Sequence, residues 1–183
     1  MDTAYKAMTG FLLSLGTDKV PHSSEHFLAH LIAVYRDLES WGCDEAVCRA
    51  GMFHSIYGTQ KFQRFSLPLD RRGEVRELIG ERAERLAYWN SAMDRPSFDR
   101  AVEEGTPPYR FLDRFTGHVL ELSGAEFDDL CRVQLCDWLE QVPRSNEWTY
   151  RRASYQRMAA RLGGTAQAAF DRTYARETAT PPA

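Results

Sequence analysis

The chain of 183 residues has no surplus of positive charge: 23 Lys and Arg stand against 26 Asp and Glu, for a net charge of −3. Without a basic stripe it lacks the electrostatic footprint of a nucleic-acid binder, so no nucleic acid is expected among its partners. No hydrophobic run approaches the ~20 residues needed to span a bilayer, and no membrane partner is expected. The start, "MDTAYKAMTGFLLSLG", has an acidic second residue and a short apolar run where a signal peptide would carry a basic region and a longer apolar one. The expected compartment is therefore the cytoplasm. Cysteine is sparse. Cys43, Cys48, Cys131 and Cys136 form two pairs five residues apart, a spacing that is neither a CxxC redox motif nor that of a zinc ribbon. Their apolar neighbours make them buried free thiols. Alternation of period two, internal repeats and low-complexity runs are also missing outside the tail, which argues against a β-rich or repeat architecture.

What the sequence does contain is helical periodicity. From Ser23 to Trp41 the apolar positions Phe27, Leu28, Leu31, Val34, Tyr35, Leu38 and Trp41 recur at intervals of three and four, with Ser23 or Ser24 able to cap the start and Gly42 ending the run. Asp44 can cap a second helix through "EAVCRAGMFHSIY", closed by Gly58. "RRGEVRELIGERAERLAYWNSAM" reads as one long charged helix with its stripe at Val75, Leu78, Ile79, Leu86 and Tyr88 or Trp89. Its other charges form a solvated face. Three prolines and a glycine in "DRPSFDRAVEEGTPPY" mark a linker or lid at Arg95 to Tyr109, expected to border the pocket that contains His54. Helical spacing resumes in "RFLDRFTGHVLEL", "GAEFDDLCRVQLCDWLEQV" and "EWTYRRASYQRMAARLG" before a last short amphipathic piece. The expectation is an all-α, single-domain bundle of about seven or eight helices over residues 1–176, with 177–183 a disordered tail.

Histidine is distributed unevenly. Four of the five fall in one short window, His22, His26, His30 and His54, with His118 apart. The first three are spaced by four, so wherever that run is helical they project from neighbouring turns of one face, and not all can meet one ion. His54 follows His30 by the length needed for two antiparallel helices to bring their imidazoles together. A buried imidazole among Met52, Phe53 and Ile56 must find a partner or a metal, since an unpaired polar group there costs about 1–3 kcal/mol. Asp137, flanked by Leu135, Cys136, Trp138 and Leu139, would be equally costly unpaired and is the best third ligand. Asp113, Asp128 and Asp129 lie in polar surroundings and read as surface charges. Two histidines and one carboxylate suit a divalent ion (Mn, Fe or Zn) with open positions, and His22, His26 and His118 could add ligands or support those three. Tyr57 could orient substrate or be a packed aromatic. Lys61 and Arg64 could meet an anionic group or be a solvated basic pair.

The segments "HLIAVYRDLESWGCDEAVCRAGMFHS" and "VQLCDWLEQV" resemble the HD superfamily of metal-dependent enzymes, which carry a histidine on one helix, a His-Asp pair on the next and a late aspartate. The His30-to-His54 interval is similar to that of the guanosine tetraphosphate hydrolase branch. The pattern H-x7-HL…WG…AGxFHSxYGT is closer still to an uncharacterised HD-like family. The resemblance implies an HD-like helical fold and places Asp137 in the final ligand position. Ser55 stands where the superfamily has the aspartate that bridges or completes its centre, so a two-metal site loses its anionic bridge. The acidic pair expected downstream is replaced by Tyr57 and Gly58, which argues against guanosine tetraphosphate as substrate. Three functions follow: a mononuclear metal-dependent hydrolase acting on a small anionic metabolite, with Ser55, Tyr57, Lys61 and Arg64 as candidate catalytic residues; a mononuclear non-haem iron oxygenase acting on a small molecule; or a metal-free helical ligand-binding module. The sequence assigns no oligomeric state.

Overall fold

A computed structural model describes residues 3–22, 25–145 and 147–177. Among them the protein is all-α, with helices α1 (Thr3–Ser14), α2 (Phe27–Ser40), α3 (Glu45–Phe53), α4 (Arg72–Ile79), α5 (Glu81–Ala92), α6 (Arg95–Glu104), α7 (Gly124–Ser145), α8 (Arg152–Leu162) and α9 (Gly164–Tyr174). None is long and apolar enough to cross a membrane. The only strands among the described residues form two small antiparallel pairs, β1 (Pro21–His22) with β2 (Glu25–His26), and β3 (Tyr109–Leu112) with β4 (Val119–Leu122). In the second pair Tyr109 faces Leu122 and Leu112 faces Val119.

The helices enclose two apolar clusters. The first is built from α1 to α5 around Leu12, Phe27, Leu31, Val34, Met52, Phe53 and Leu86. A second gathers α6, the β3–β4 hairpin, α8 and α9 around Phe98, Phe111, Phe127, Tyr155 and Met158. Helix α7 belongs to both. Val133 and Cys136 pack in the first cluster, while Leu130, Leu135 and Trp138 pack in the second. A helix buried on both sides is apolar nearly all round, so a carboxylate in its middle, such as Asp137, has no solvated face to occupy.

Local chemistry explains most boundaries. Ser123 and Glu126 form a reciprocal cap at the start of α7, with the Ser123 amide donating to Glu126 Oε2 (3.0 Å) and the Glu126 amide to Ser123 Oγ (3.4 Å). Asp44 caps α3 as expected, its Oδ1 accepting from the Val47 amide at 3.1 Å. The caps proposed at Ser23 and Ser24 lie outside the described residues, as does all of the proposed tail beyond Glu177.

Six expectations are corrected. The long charged helix is two, because Gly80 at φ 90° and ψ 156° breaks it in a conformation that side-chain-bearing residues rarely adopt. The proposed lid is largely helix α6. Asp94 caps it by accepting from the Ser97 amide (3.0 Å), proline sits in its first turn where no amide is needed, and Gly105 closes it in the left-handed region. "RFLDRFTGHVLEL" forms the hairpin, not a helix. Its turn is organised by Asp113, which is buried and accepts from the Phe115 (2.8 Å) and Thr116 (3.2 Å) amides and the Tyr88 hydroxyl (2.7 Å), so it is not a surface charge. Asp129 is also buried, between Arg82 (2.6 Å) and Arg132 (3.1 Å). Finally, α3 stops at Phe53, before the HSIY run. The His54 carbonyl accepts from the side chains of Asn90 (2.8 Å) and Ser91 (3.1 Å), while the Gly58 amide turns to Ser55 O (2.9 Å).

Gly51 sets the separation of α2 and α3. A Cβ there would collide with the fully buried Leu38 and lie 3.3 Å from Val34 Cγ1, both on α2. Replacing Gly51 with Val therefore forces the pair apart inside a filled core, and urea unfolding is expected to show a loss of about 1–3 kcal/mol. A variant as stable as the parent would show that this approach is not constrained.

Candidate metal centre

His30 occupies the buried stripe of α2, in register with Phe27, Leu31 and Val34. His54 is the residue at which α3 ends, and Asp137 lies mid-way along α7. All three are buried, and their ligand-type atoms converge. His30 Nε2 is 3.1 Å from Asp137 Oδ1, His54 Nε2 is 3.3 Å from the same oxygen, and the two Nε2 atoms are 3.3 Å apart. Three donors about 2.0–2.2 Å from one ion, at angles between octahedral and tetrahedral, lie roughly 3.0–3.5 Å from one another. The triangle is of a size that could hold a metal ion.

The surrounding hydrogen bonds decide what those atoms present. His54 Nδ1 lies 2.7 Å from Gly51 O. A carbonyl can only accept, so Nδ1 carries the proton, and Nε2 of the neutral ring presents a lone pair. His30 Nδ1 lies 2.5 Å from Glu140 Oε2, and Glu140 is itself paired with Arg144. Burial would raise the Glu140 pKa, but the His30 and Arg144 partners hold it below its ordinary value. The ionised carboxylate thus accepts a hydrogen bond from Nδ1–H, which leaves the Nε2 lone pair of the neutral His30 ring facing Asp137. Burial likewise opposes ionisation of Asp137, yet a proton on either adjacent imidazole, His54 or His30, places positive charge beside it and holds it well below the usual carboxylate range. The Gln141 amide also donates to its Oδ1. Three electron-rich atoms facing one another in a dry interior need a cation between them. This pattern of imidazoles oriented through their second nitrogens is the one metal centres use.

Without an ion, a proton serves. Burial lowers the His30 pKa, but Asp137 and Glu140 outweigh it and push the ring up to about 9. The metal-free site therefore retains a proton that an ion displaces.

The centre opens on one side. Asp137, Ser55 and Gln141 line a cavity of about 260 Å³ whose remaining wall includes Lys61, Arg64 and Arg95. Lys61 pairs with Glu147 and lies 4.0 Å from the Tyr150 ring centroid. Arg95 Nη1 donates to the Tyr150 hydroxyl at 2.5 Å. Among the described residues neither Arg64 nor Arg95 has a carboxylate partner, so this part of the cavity wall presents two guanidiniums without a paired carboxylate.

The expected residues separate accordingly. His30, His54 and Asp137 come together, with Ser55, Lys61 and Arg64 on the adjoining cavity. His26 does not join them, and the His22 side chain lies outside what is described. Their backbones belong to the β1–β2 pair that precedes α2, so the spacing of four never becomes a helical face, and the His26 side chain is exposed. His118 is exposed beside the hairpin turn. Tyr57 is one of the packed aromatics, not a cavity residue. Its hydroxyl donates to the buried Glu84 (3.0 Å), which Arg72 holds through a two-pronged pair (2.6 and 3.0 Å). The lid expectation survives only as Arg95, which lines the cavity from the first turn of α6. Sequence reasoning missed Glu140 and Gln141 as parts of the site, and had Arg95 only as the first residue of the lid. Glu140 and Gln141 were in view, three and four residues after Asp137 on one helix face.

The raised His30 pKa fixes the sign of a pH dependence. The folded value, about 9, lies above the ordinary 6.5, so its contribution to stability is complete below about 6.5 and lost as pH rises through about 9. Thermal unfolding of chelator-treated protein should fall in midpoint across that window, and Asp137→Asn should flatten the fall. Metal affinity should rise across the same window, with proton release on binding measurable by titration in buffers of different ionisation enthalpy. A flat profile for both would remove His30 from the site.

In a comparison with known families, residues 11–95 match a family model described as "Domain of unknown function (DUF6817)". The matched segment holds His30 and His54 and most of the first apolar cluster, and ends before Asp137. No curated protein and no solved structure matches the chain.

Proposed function

We propose that this protein is an HD-like, mononuclear metal-dependent hydrolase acting on a small anionic substrate. The observation that carries the reading is the convergence of His30 Nε2, His54 Nε2 and Asp137 Oδ1 within 3.3 Å of one another, beside a cavity lined by Arg64 and Arg95. The order of the donors, a helical histidine, a second histidine ending the next helix and a late aspartate on a third, supports the HD-like part.

His30, His54 and Asp137 would hold the ion, whether Mn, Fe or Zn. Bound there, a divalent ion supplies Lewis acidity and lowers the pKa of water. The chain's own groups do the rest. Glu140 and the Gly51 carbonyl keep both imidazoles in the ligating orientation. Arg64 and Arg95 hold the anionic group, and Arg95 is fixed in turn by the Tyr150 hydroxyl. Trp138 and Tyr150 wall the cavity and reduce the water around the reacting bond. Ser55 offers a neutral hydroxyl on the same wall, able to hydrogen-bond water or substrate without adding charge.

Three protein donors and a neutral Ser55 leave several coordination positions open, which also suits a non-haem iron oxygenase. Stoichiometric iron with dioxygen consumption would favour that reading; a redox-silent metal with hydrolysis in the absence of oxygen favours the first.

Metal analysis of protein purified without an affinity tag is expected to give close to one ion per chain. Folded His54→Ala protein should lose it, and metal retained at parental affinity in that variant would overturn the reading. Ser55→Asp adds an anionic donor beside His54 and should tighten divalent-ion binding in a metal titration. Arg64→Ala and Arg95→Ala should leave metal content unchanged and raise KM for an anionic substrate by about tenfold each, corresponding to the loss of one charge-assisted contact.

A further inference from the structure

We propose that Arg151 is a positioning residue for His54, acting through Gln134 and Asn90. The consequence for metal binding rests on the reading above, whereas the relay itself does not.

The links form a continuous chain of hydrogen bonds. Arg151 Nη1 donates to Gln134 Oε1 (2.9 Å), Gln134 Nε2 to Asn90 Oδ1 (2.5 Å), and Asn90 Nδ2 to His54 O (2.8 Å). Asn90, Gln134 and His54 are all buried. Both ends are one-directional: a guanidinium only donates and a peptide carbonyl only accepts. The orientation of each amide between them is therefore forced, and reversing either would set two oxygens or two NH2 groups against each other. Ordinary satisfaction of two buried amides requires no such polarity.

Each end is anchored independently. Arg151 is clamped by Asp99, with Nη2 2.6 Å from Oδ1 and Nε 2.9 Å from Oδ2, and it also donates to the Tyr155 hydroxyl (3.1 Å). Its backbone sits at φ 45°, a left-handed conformation that a residue other than glycine rarely adopts. At the far end, the His54 carbonyl is the one freed where α3 stops, and Ser91 Oγ donates to it as well at 3.1 Å. Holding that carbonyl fixes the peptide plane next to the His54 Cα, and with it the direction from which the ring reaches Gly51 O and Asp137.

Arg151 and Asp99 border a second, more open cavity of about 840 Å³, which shares Lys61, Arg95 and Tyr150 with the first. The relay thus runs from the outer cavity to the metal centre through the interior.

The test reads the His54 carbonyl carbon by NMR in chelator-treated protein, together with cobalt(II) affinity and the cobalt absorption spectrum. Gln134→Glu keeps the shape and can still accept from Arg151, but has no donor for Asn90 Oδ1. Arg151→Met removes the first donor, and Arg151→Lys keeps a donor without the fork. Circular dichroism establishes folding, and Gln134→Glu carries the test if Arg151→Met does not fold. The expected result is an upfield move of the His54 carbonyl resonance in Gln134→Glu and Arg151→Met, smaller in Arg151→Lys. Cobalt affinity should fall about tenfold or more, with an altered spectrum, in the first two. An unmoved His54 resonance in folded variants overturns the relay. So does a moved resonance with unchanged cobalt affinity where the parent protein binds cobalt. If the parent binds no cobalt, the metal reading fails, and the metal-free resonance still decides the relay.

Discussion

Two imidazole nitrogens and a carboxylate oxygen face one another within 3.3 Å in the dry interior. In water such a group of acceptors would separate. Here it is held together by three helices that have no other place to put these residues, and by Glu140 and the Gly51 carbonyl, which take up the opposite ring nitrogens. The arrangement is stable only with positive charge at its centre, a proton on His30 or a metal ion. Removing one donor without the others would leave the remainder uncompensated, so the three behave as one unit.

The architecture follows from that requirement. Helix α7 is shared by two apolar clusters, and Asp137 in its middle touches both His30 on α2 and His54 at the end of α3. Gly51 allows α2 and α3 to approach closely, and its carbonyl also orients the His54 ring. A single residue therefore sets both the distance between two ligands and the protonation pattern of one of them. Glu140 and Gln141 follow Asp137 by three and four residues, so the same face of α7 carries a ligand and the groups that hold two of the ligands in place.

Charge is arranged in layers around this point. The nearest shell is anionic or electron-rich, and the cavity wall beyond it carries Lys61, Arg64 and Arg95. Glu147 offsets Lys61, and among the described residues Arg64 and Arg95 have no carboxylate partner. With the protein's overall charge at −3, this positive lining is local and does not reflect the surface as a whole.

Periodicity alone was enough for the all-α class and for α2, α3 and α7, because a stripe of apolar residues at three and four has one low-energy solution in a domain of this size. The same logic made His30, His54 and Asp137 legible: each interrupts an apolar stripe, and a polar group there must be paired. The hairpin was hidden because Phe111, Leu112, Phe115, Val119 and Leu120 also satisfy helical spacing, and only the buried Asp113 turn selects the strand solution. His22 and His26 looked equivalent to His30 because a spacing of four is meaningful only inside a helix, and α2 begins after them. Glu140, Arg95 and the Arg151–Gln134–Asn90 chain involve partners 17 to 110 residues apart. The sequence by itself determined which side chains could not stay unpaired; the tertiary structure alone decided their partners, because hydrogen-bond direction and distance exist only once separate helices have packed.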